Sequence, residues 1–265
     1  MKVYVINLDR ATQRMERMRE ILDAQRLDWV RLPAVDGRQL SQEEQARWSA
    51  TREDGSLILT PGEIGVLLSH RRFWEMVVAS GEPGAVVEDD IHLAPSAHEW
   101  LREADWLPHD ADIVKFETTG KTIAVSRQIV SIGARRRLAR LLSAHLGFAG
   151  YIITPLAATR LLHATRFVER AIDHVVFDPS STIFHDCTIY QTIPALCIQD
   201  QFLPNSTLGL GGEIERAWKR EKKKSLPQKM LRELHRLYGQ TRFALAGSSI
   251  NIFGSRKNVK LKFPA

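Results

Sequence analysis

The sequence predicts an α/β protein: a Rossmann-type sheet over residues 1–210, followed by a basic, helical extension over 211–265. Three observations support this. Short apolar runs at residues 3–8, 29–32 and 85–87 suit buried strands. Amphipathic helical patterns lie between them. Several strand ends carry polar or acidic groups, most densely at Val87-Glu88-Asp89-Asp90.

The first strand ends in Asn7-Leu8-Asp9-Arg10, and a helix over about residues 11–26 places Met15, Met18, Ile21 and Leu22 on one face. Arg10, Arg14 and Arg17 fall near the start of that helix, where they suit a phosphate or base edge and equally a solvated basic face. The second strand leads into Pro33-Ala34-Val35-Asp36-Gly37, a turn that sets Asp36 where a nucleotide site uses an acid. Ser41 and Glu44 mark one helix start; Thr60, Pro61 and Glu63 mark another, longer helix. His70 lies inside that longer helix and reads either as a satisfied core residue or as a functional one.

After the third strand, residues 96–105 are expected to be helical and 112–117 to form a strand ending in Glu117. Residues 121–142 suit a hairpin that includes Arg135, Arg136, Arg137 and Arg140. A Gly-edged strand is expected at 147–153, then a helix capped by Thr154-Pro155. Ile172-Asp173-His174 precedes another apolar run, and a late strand at 195–198 ends in Gln199-Asp200-Gln201.

The third strand carries the densest chemistry. With extended geometry Glu88 and Asp90 share one face and Asp89 points away. Three adjacent acids repel unless a cation or hydrogen-bond donors receive them. At the carboxyl end of a strand the usual recipients are a divalent metal and phosphates; a solvated acidic turn is the plainer reading.

Composition narrows the class. The chain has 265 residues, a net charge of +6 and 44% hydrophobic residues, so a sizeable core and an anionic partner are both expected. Cys187 and Cys197 are too few for a disulfide framework or a Cys-based zinc site. Residues 2–6 are too short an apolar run for a signal peptide, and no run approaches the ~20 residues of a bilayer span. The expected compartment is the cytoplasm. Residues 216–236 interleave Lys and Arg with Trp218, Leu226, Met230 and Leu234, which suits an anionic membrane surface; no nucleic-acid motif accompanies them.

Taken together, several of these stretches resemble glycosyltransferase family 25, the lipooligosaccharide-biosynthesis galactosyltransferases. The resemblance rests on Asn7-Leu8-Asp9-Arg10 with Arg14, on Pro33 to Gly37, and on Gly62-Glu63-Ile64-Gly65 through His70 and Trp74. The Val87 to Asp90 run, Gly150-Tyr151-Ile152-Ile153 and Ile172-Asp173-His174 complete it; the basic tail is not covered. Val66 stands where the family commonly has Cys. The resemblance implies a GT-A-like catalytic domain, UDP-galactose as donor, a lipid-linked oligosaccharide acceptor and inversion at the sugar carbon. Within it, Asp90 and Glu88 are expected to hold Mn²⁺ or Mg²⁺, and Asn7, Arg10, Arg14, Asp36, His70, Glu88 and Asp89 to contact the donor. Asp173 is the first candidate base and Glu117 the second. The expected location is cytoplasmic, peripheral on the inner face of the membrane. A chain that keeps this fold but has lost turnover is the alternative. A phosphohydrolase of the haloacid-dehalogenase type lacks its Asp-x-Asp motif, since residues 3–9 offer only Asp9.

Overall fold

Alternation along the first strands sorts the core into two layers. The computed structural model describes residues 1–132, 136–203, 206, 209 and 256–264. In β1 (Lys2–Asn7), Val3 and Val5 join the layer under α1 (Thr12–Ala24), while Tyr4 and Ile6 face the opposite side. The chain continues through β2 (Trp29–Pro33), α2 (Gln42–Ala46) and α3 (Pro61–Ser80) to β3 (Gly84–Glu88). Ala85 and Val87 repeat the first face and Val86 the second, against Phe73, Trp74 and Val77 of α3. Thr60 caps α3: its hydroxyl accepts from the Glu63 N–H and the Glu63 carboxylate accepts from the Thr60 N–H. Gly81, left-handed at φ 71°, ends the helix.

Next come β4 (Ile91–Leu93), α4 (His98–Leu101), β5 (Ile113–Lys115), β6 (Glu117–Thr118) and the hairpin β7 (Thr122–Ile132) with β8 (Arg136–Leu141). Then follow β9 (Gly150–Ile153), α5 (Pro155–Ala164), α6 (Ile172–Phe177), α7 (Thr182–Asp186), β10 (Ile189–Ile193), β11 (Cys197–Gln199) and β12 (Arg256–Lys260). The large sheet has nine strands in the order β12-β7-β8-β10-β5-β9-β3-β1-β2; β4, β11 and β6 form a second sheet. Strand β1 is parallel to β2 and β3, whereas β9 runs antiparallel between β3 and β5.

Four elements differ from the sequence expectation. The helix expected at 96–105 stops after one turn. The Trp106 indole donates to the Trp100 carbonyl at 2.8 Å, taking the acceptor that a continuing helix would give to residue 104. The strand expected at 112–117 breaks at Phe116, and Glu117 passes into the small sheet. Strand β10 had no apolar signal, because Gln191 and Thr192 lie within it. The extension expected from 211 onward is not a separate helical appendage throughout. Its end, β12, pairs with β7, and the Leu261 and Lys262 carbonyls accept from the Thr118 hydroxyl (3.1 Å) and the Ala195 N–H (3.0 Å). The basic helix expected at 216–236 lies outside the described residues.

The turn after β2 presses on α3 with backbone alone. A Cβ on Gly65 would stand 2.6 Å from the Val35 carbonyl oxygen and 2.9 Å from the Gly37 nitrogen. Gly65→Ala gains ~1 kcal/mol of helix propensity but must displace main chain. The clash outweighs the gain, and a net loss of about 1–3 kcal/mol is expected in denaturant unfolding. A stabilised variant would show that the turn yields.

Candidate active site

The pairing registers carry the polar residues to one edge of the sheet. Asn7 lies beside Pro33, Ile6 beside Glu88, Val87 beside Gly150, and Lys115 beside both Tyr151 and Gln191. From β1 the chain moves outward to β2 and then returns to β3 on the other side of β1. That reversal is a topological switch point, where open α/β sheets place ligands beyond the strand ends.

Strand β3 ends at Glu88 and the chain turns at Asp89 and Asp90, so the extended alternation expected through Asp90 does not persist, yet Glu88 and Asp90 converge on one partner. The Gln199 side-chain amide donates to both, to Glu88 Oε2 at 2.9 Å and to the two Asp90 oxygens at 3.2 and 3.3 Å. Gln199 is positioned by β11, where it pairs with Ile91, the residue after Asp90. Burial, together with the charges of Glu117, Asp89 and Asp173, pushes the Glu88 carboxyl up to about 8 despite Lys115. Burial and Glu88 push Asp90 to about 8 as well. Among the described residues no Lys or Arg reaches ion-pair distance of either carboxylate.

Asp89 points away and is held. Asn7 donates to it at 2.6 Å and Arg14 pairs with it at 3.3 Å. Asn7 spends its whole amide internally, donating also to the Ala11 carbonyl and accepting from Arg31 at 2.9 Å. At 2% exposure it braces Asp89, which is buried with it. Arg10 and Asp36 form an ion pair nearby, with Arg10 largely exposed. A cleft of about 320 Å³ opens beside the end of β1, lined among others by Asp9, Thr12, Arg19 and Arg31.

The candidate bases meet at one turn. Gly147, at φ +110°, packs its Cα against the Glu117 carboxylate, which a Cβ would approach to 3.0 Å. Its N–H donates to Asp173 Oδ2 at 3.2 Å. Glu117 is 0% exposed, paired with the equally buried Lys115, and accepts from the Ala149 N–H. Lys115 sits 3.8 Å above the Phe177 ring. Glu117 is thus occupied by the Lys115 ammonium and the Ala149 N–H and packs under the Gly147 turn. Asp173, on the first turn of α6, remains partly exposed.

His70 is 1% exposed and borders Glu88 from α3. Sequence reasoning also missed Gln199 and Lys115. Lys115 offered one signal, a cation at a core-facing strand position. A further support underlies Asp90. Arg17 donates to the Ile91 carbonyl (2.7 Å) and to His92 Nδ1 (3.2 Å), so His92 Nε2 carries the hydrogen and donates to Asp200 at 2.8 Å. The Asp200 N–H in turn donates to the Asp90 carbonyl. Burial raises the Cys197 thiol well above its ordinary value, which makes it packing and not a nucleophile.

Two outcomes follow from these charges. Lys115→Met strands the Glu117 carboxylate in the core and is expected to cost about 3–5 kcal/mol. Lys115→Met with Glu117→Gln removes both charges and should recover most of that loss in denaturant unfolding. If the double variant is as unstable as the single, Lys115 acts by shape alone. The second outcome concerns pH. Burial pulls His70 and His145 down to about 3, so their contribution to stability is present above their ordinary 6.5 and is lost as pH falls toward 3. Glu88 and Asp90, raised to about 8, contribute stability below their ordinary values that is lost as pH rises through 8. The metal-free chain should lose thermal stability from pH 7 to 9, and Asp90→Asn should flatten that slope. An unchanged slope would show that Asp90 is ionised throughout.

With this geometry in place, comparison with known proteins is informative. The profile of glycosyltransferase family 25 (LPS biosynthesis protein) matches residues 1–176. The chain is similar to the lipooligosaccharide biosynthesis protein lex-1 of Haemophilus influenzae, 31% identical over 67% of this chain and 63% of that protein. It is 30% identical to the lacto-N-neotetraose biosynthesis glycosyltransferase LgtE of Neisseria meningitidis over 69% and 70% of the respective chains. The Haemophilus influenzae lipooligosaccharide biosynthesis protein lic2B is 26% identical, over 88% of this chain and 94% of its own. The chain thus spans under two thirds of lex-1 and most of lic2B.

Proposed function

This chain belongs to glycosyltransferase family 25, and on that premise we propose that it transfers galactose from UDP-galactose, with inversion, onto a lipid-linked lipooligosaccharide acceptor. The observation that carries the reading is the convergence of Glu88 and Asp90 on one hydrogen-bond donor at the switch point. Two buried carboxylates with no partner cation suit an anionic ligand that brings its own.

The donor set fits Mn²⁺ or Mg²⁺. Both side chains offer oxygen only, and among the described residues no group of three or more His, Cys, Asp or Glu completes a cage. Such an ion takes one or two carboxylates and fills its remaining positions with phosphate oxygens and water. When bound, it stabilises the charge developing on the departing diphosphate. Asp90 and Glu88 hold it, and Gln199 keeps the two aligned.

The chain's own residues supply the rest. Asp173 takes the proton of the acceptor hydroxyl as that oxygen attacks in line. The Lys115–Glu117 pair fixes the Gly147 turn, whose N–H orients Asp173. Arg10 and Asp36 contact the nucleotide. The adjoining cleft, within the range of small-ligand pockets, receives the nucleoside. Arg14 acts through Asp89, tying the acidic loop to α1. No described helix is long and apolar enough to cross a membrane. Action at the inner membrane face is supported by the net charge of +6 and by exposed Arg127, Arg140, Arg256 and Lys260 on the β7–β8–β12 edge.

The test is calorimetric titration of UDP with and without Mn²⁺, paired with turnover assays. Binding should depend on Mn²⁺, and Asp90→Ala should weaken it tenfold or more, about 1.4 kcal/mol. Asp173→Asn should leave UDP affinity intact and lower kcat by roughly 10²–10⁴. A folded chain that binds no UDP in either condition would overturn the donor reading, and full turnover in Asp173→Asn would remove the base.

A further inference from the structure

Three side chains that the transfer does not consume form a directed chain of hydrogen bonds behind Glu88. Trp74 Nε1 donates to the Tyr151 hydroxyl at 2.8 Å, and that hydroxyl lies 2.9 Å from His70 Nδ1. Register puts them there. Tyr151 pairs with Val86 and Lys115, Glu88 lies two residues beyond Val86, and all these side chains face α3. His70 and Trp74 are one helical turn apart on α3.

The chain has a definite polarity. An indole nitrogen only donates, so the Tyr151 oxygen receives its hydrogen. The Tyr151 O–H is then left with His70 Nδ1 as its acceptor. An accepting Nδ1 places the ring hydrogen of a neutral imidazole on Nε2. A ring nitrogen that accepts carries no hydrogen, so the imidazole is the neutral form. Nε2 is buried and, among the described residues, has no hydrogen-bond partner; it faces Glu88 Oε1 across 3.8 Å. A buried N–H without an acceptor is costly, and its position next to a carboxylate gives it a purpose. Glu88 is the movable member, with its side chain 18% exposed where His70 is 1%. A displacement of under ~1 Å brings the contact to hydrogen-bond length.

We propose that His70 is a positioning residue that presents Nε2–H to Glu88, fixing that carboxylate's orientation so that Glu88 and Asp90 converge on the donor's cation. Trp74 and Tyr151 set the tautomer that makes this possible. The assignment rests on the donor-site reading above and deepens it: the site's specificity for a dication with a diphosphate is built partly into α3. Partners that orient a ligating carboxylate typically govern 10–100-fold in metal affinity.

Two measurements decide it. Nitrogen-15 NMR of the His70 ring in the unliganded full chain should show the neutral Nε2–H form, and an Nδ1–H form would overturn the proposal. Mn²⁺ titration in the presence of UDP then compares the wild type with His70→Leu and His70→Gln. His70→Leu should weaken Mn²⁺ binding tenfold or more. His70→Gln, which keeps an N–H near the Nε2 position, should remain within about threefold of wild type on the same reasoning. Equal affinity for His70→Leu, or equal loss in both folded variants, would refute the positioning role. A wild type that binds neither Mn²⁺ nor UDP would defeat the donor-site reading, and the tautomer would still decide the polarity of the Trp74–Tyr151–His70 chain.

Discussion

Repulsion among acids gathered at one sheet edge is the constraint that the rest of this structure answers. Glu88, Asp89, Asp90, Glu117 and Asp173 lie close enough to disturb one another's protonation. Asp89 is satisfied by Asn7 and Arg14, and Glu117 by Lys115 and the Ala149 N–H. Asp200, which braces the backbone of Asp90, is satisfied by His92, itself fixed by Arg17. Glu88 and Asp90 share a neutral amide. The fold supplies charged or hydrogen-bonding partners for the supporting acids and, among the described residues, no counter-charge for the pair that faces the switch point. A buried carboxylate left without its counter-charge is expensive to ionise, and the proposed cation site rests on that asymmetry.

Much of the frame was legible from residue spacing. The capping boxes at Ser41 and Thr60 and the apolar strands β1 to β3 are local signals, and local signals survive folding. The strand alternation expected through Asp90 does not hold, because β3 ends at Glu88 and Asp89 and Asp90 form a turn; the convergence of Glu88 and Asp90 on Gln199 comes from β11 instead. The elements that escaped notice are those whose identity depends on distant partners. Strand β10 carries Gln191 and Thr192 at fully buried positions because β5 and β8 receive them. The last residues read as a basic tail, yet β12 completes the sheet through β7, more than a hundred residues earlier.

The site shows the same division. Residue type marked the acids as a cluster, but which partner each one takes is a tertiary property. Asn7, Asp89 and Glu117 are each tied to other side chains. Gln199, which donates to both Glu88 and Asp90, sits 109 residues after Asp90 and carries no motif of its own. A polar residue at the end of a late strand could have suggested it. Only the β4–β11 register shows why it matters.

Glu117 and Asp173 illustrate how the break at Phe116 serves the chemistry. Had the strand continued straight, Glu117 would have extended the large sheet and stood free at its edge, a plausible base. By turning into the small sheet it becomes fully buried beneath Gly147 and is neutralised by Lys115, two residues earlier on the same chain. The Gly147 turn then has its carbonyl and Cα held by that ion pair while its N–H is aimed at Asp173. Asp173 stays partly solvated beside that internal charge pair, as the base proposed above needs to be. The two acids thus differ in setting: Glu117 is buried and charge-paired, while Asp173 reaches solvent.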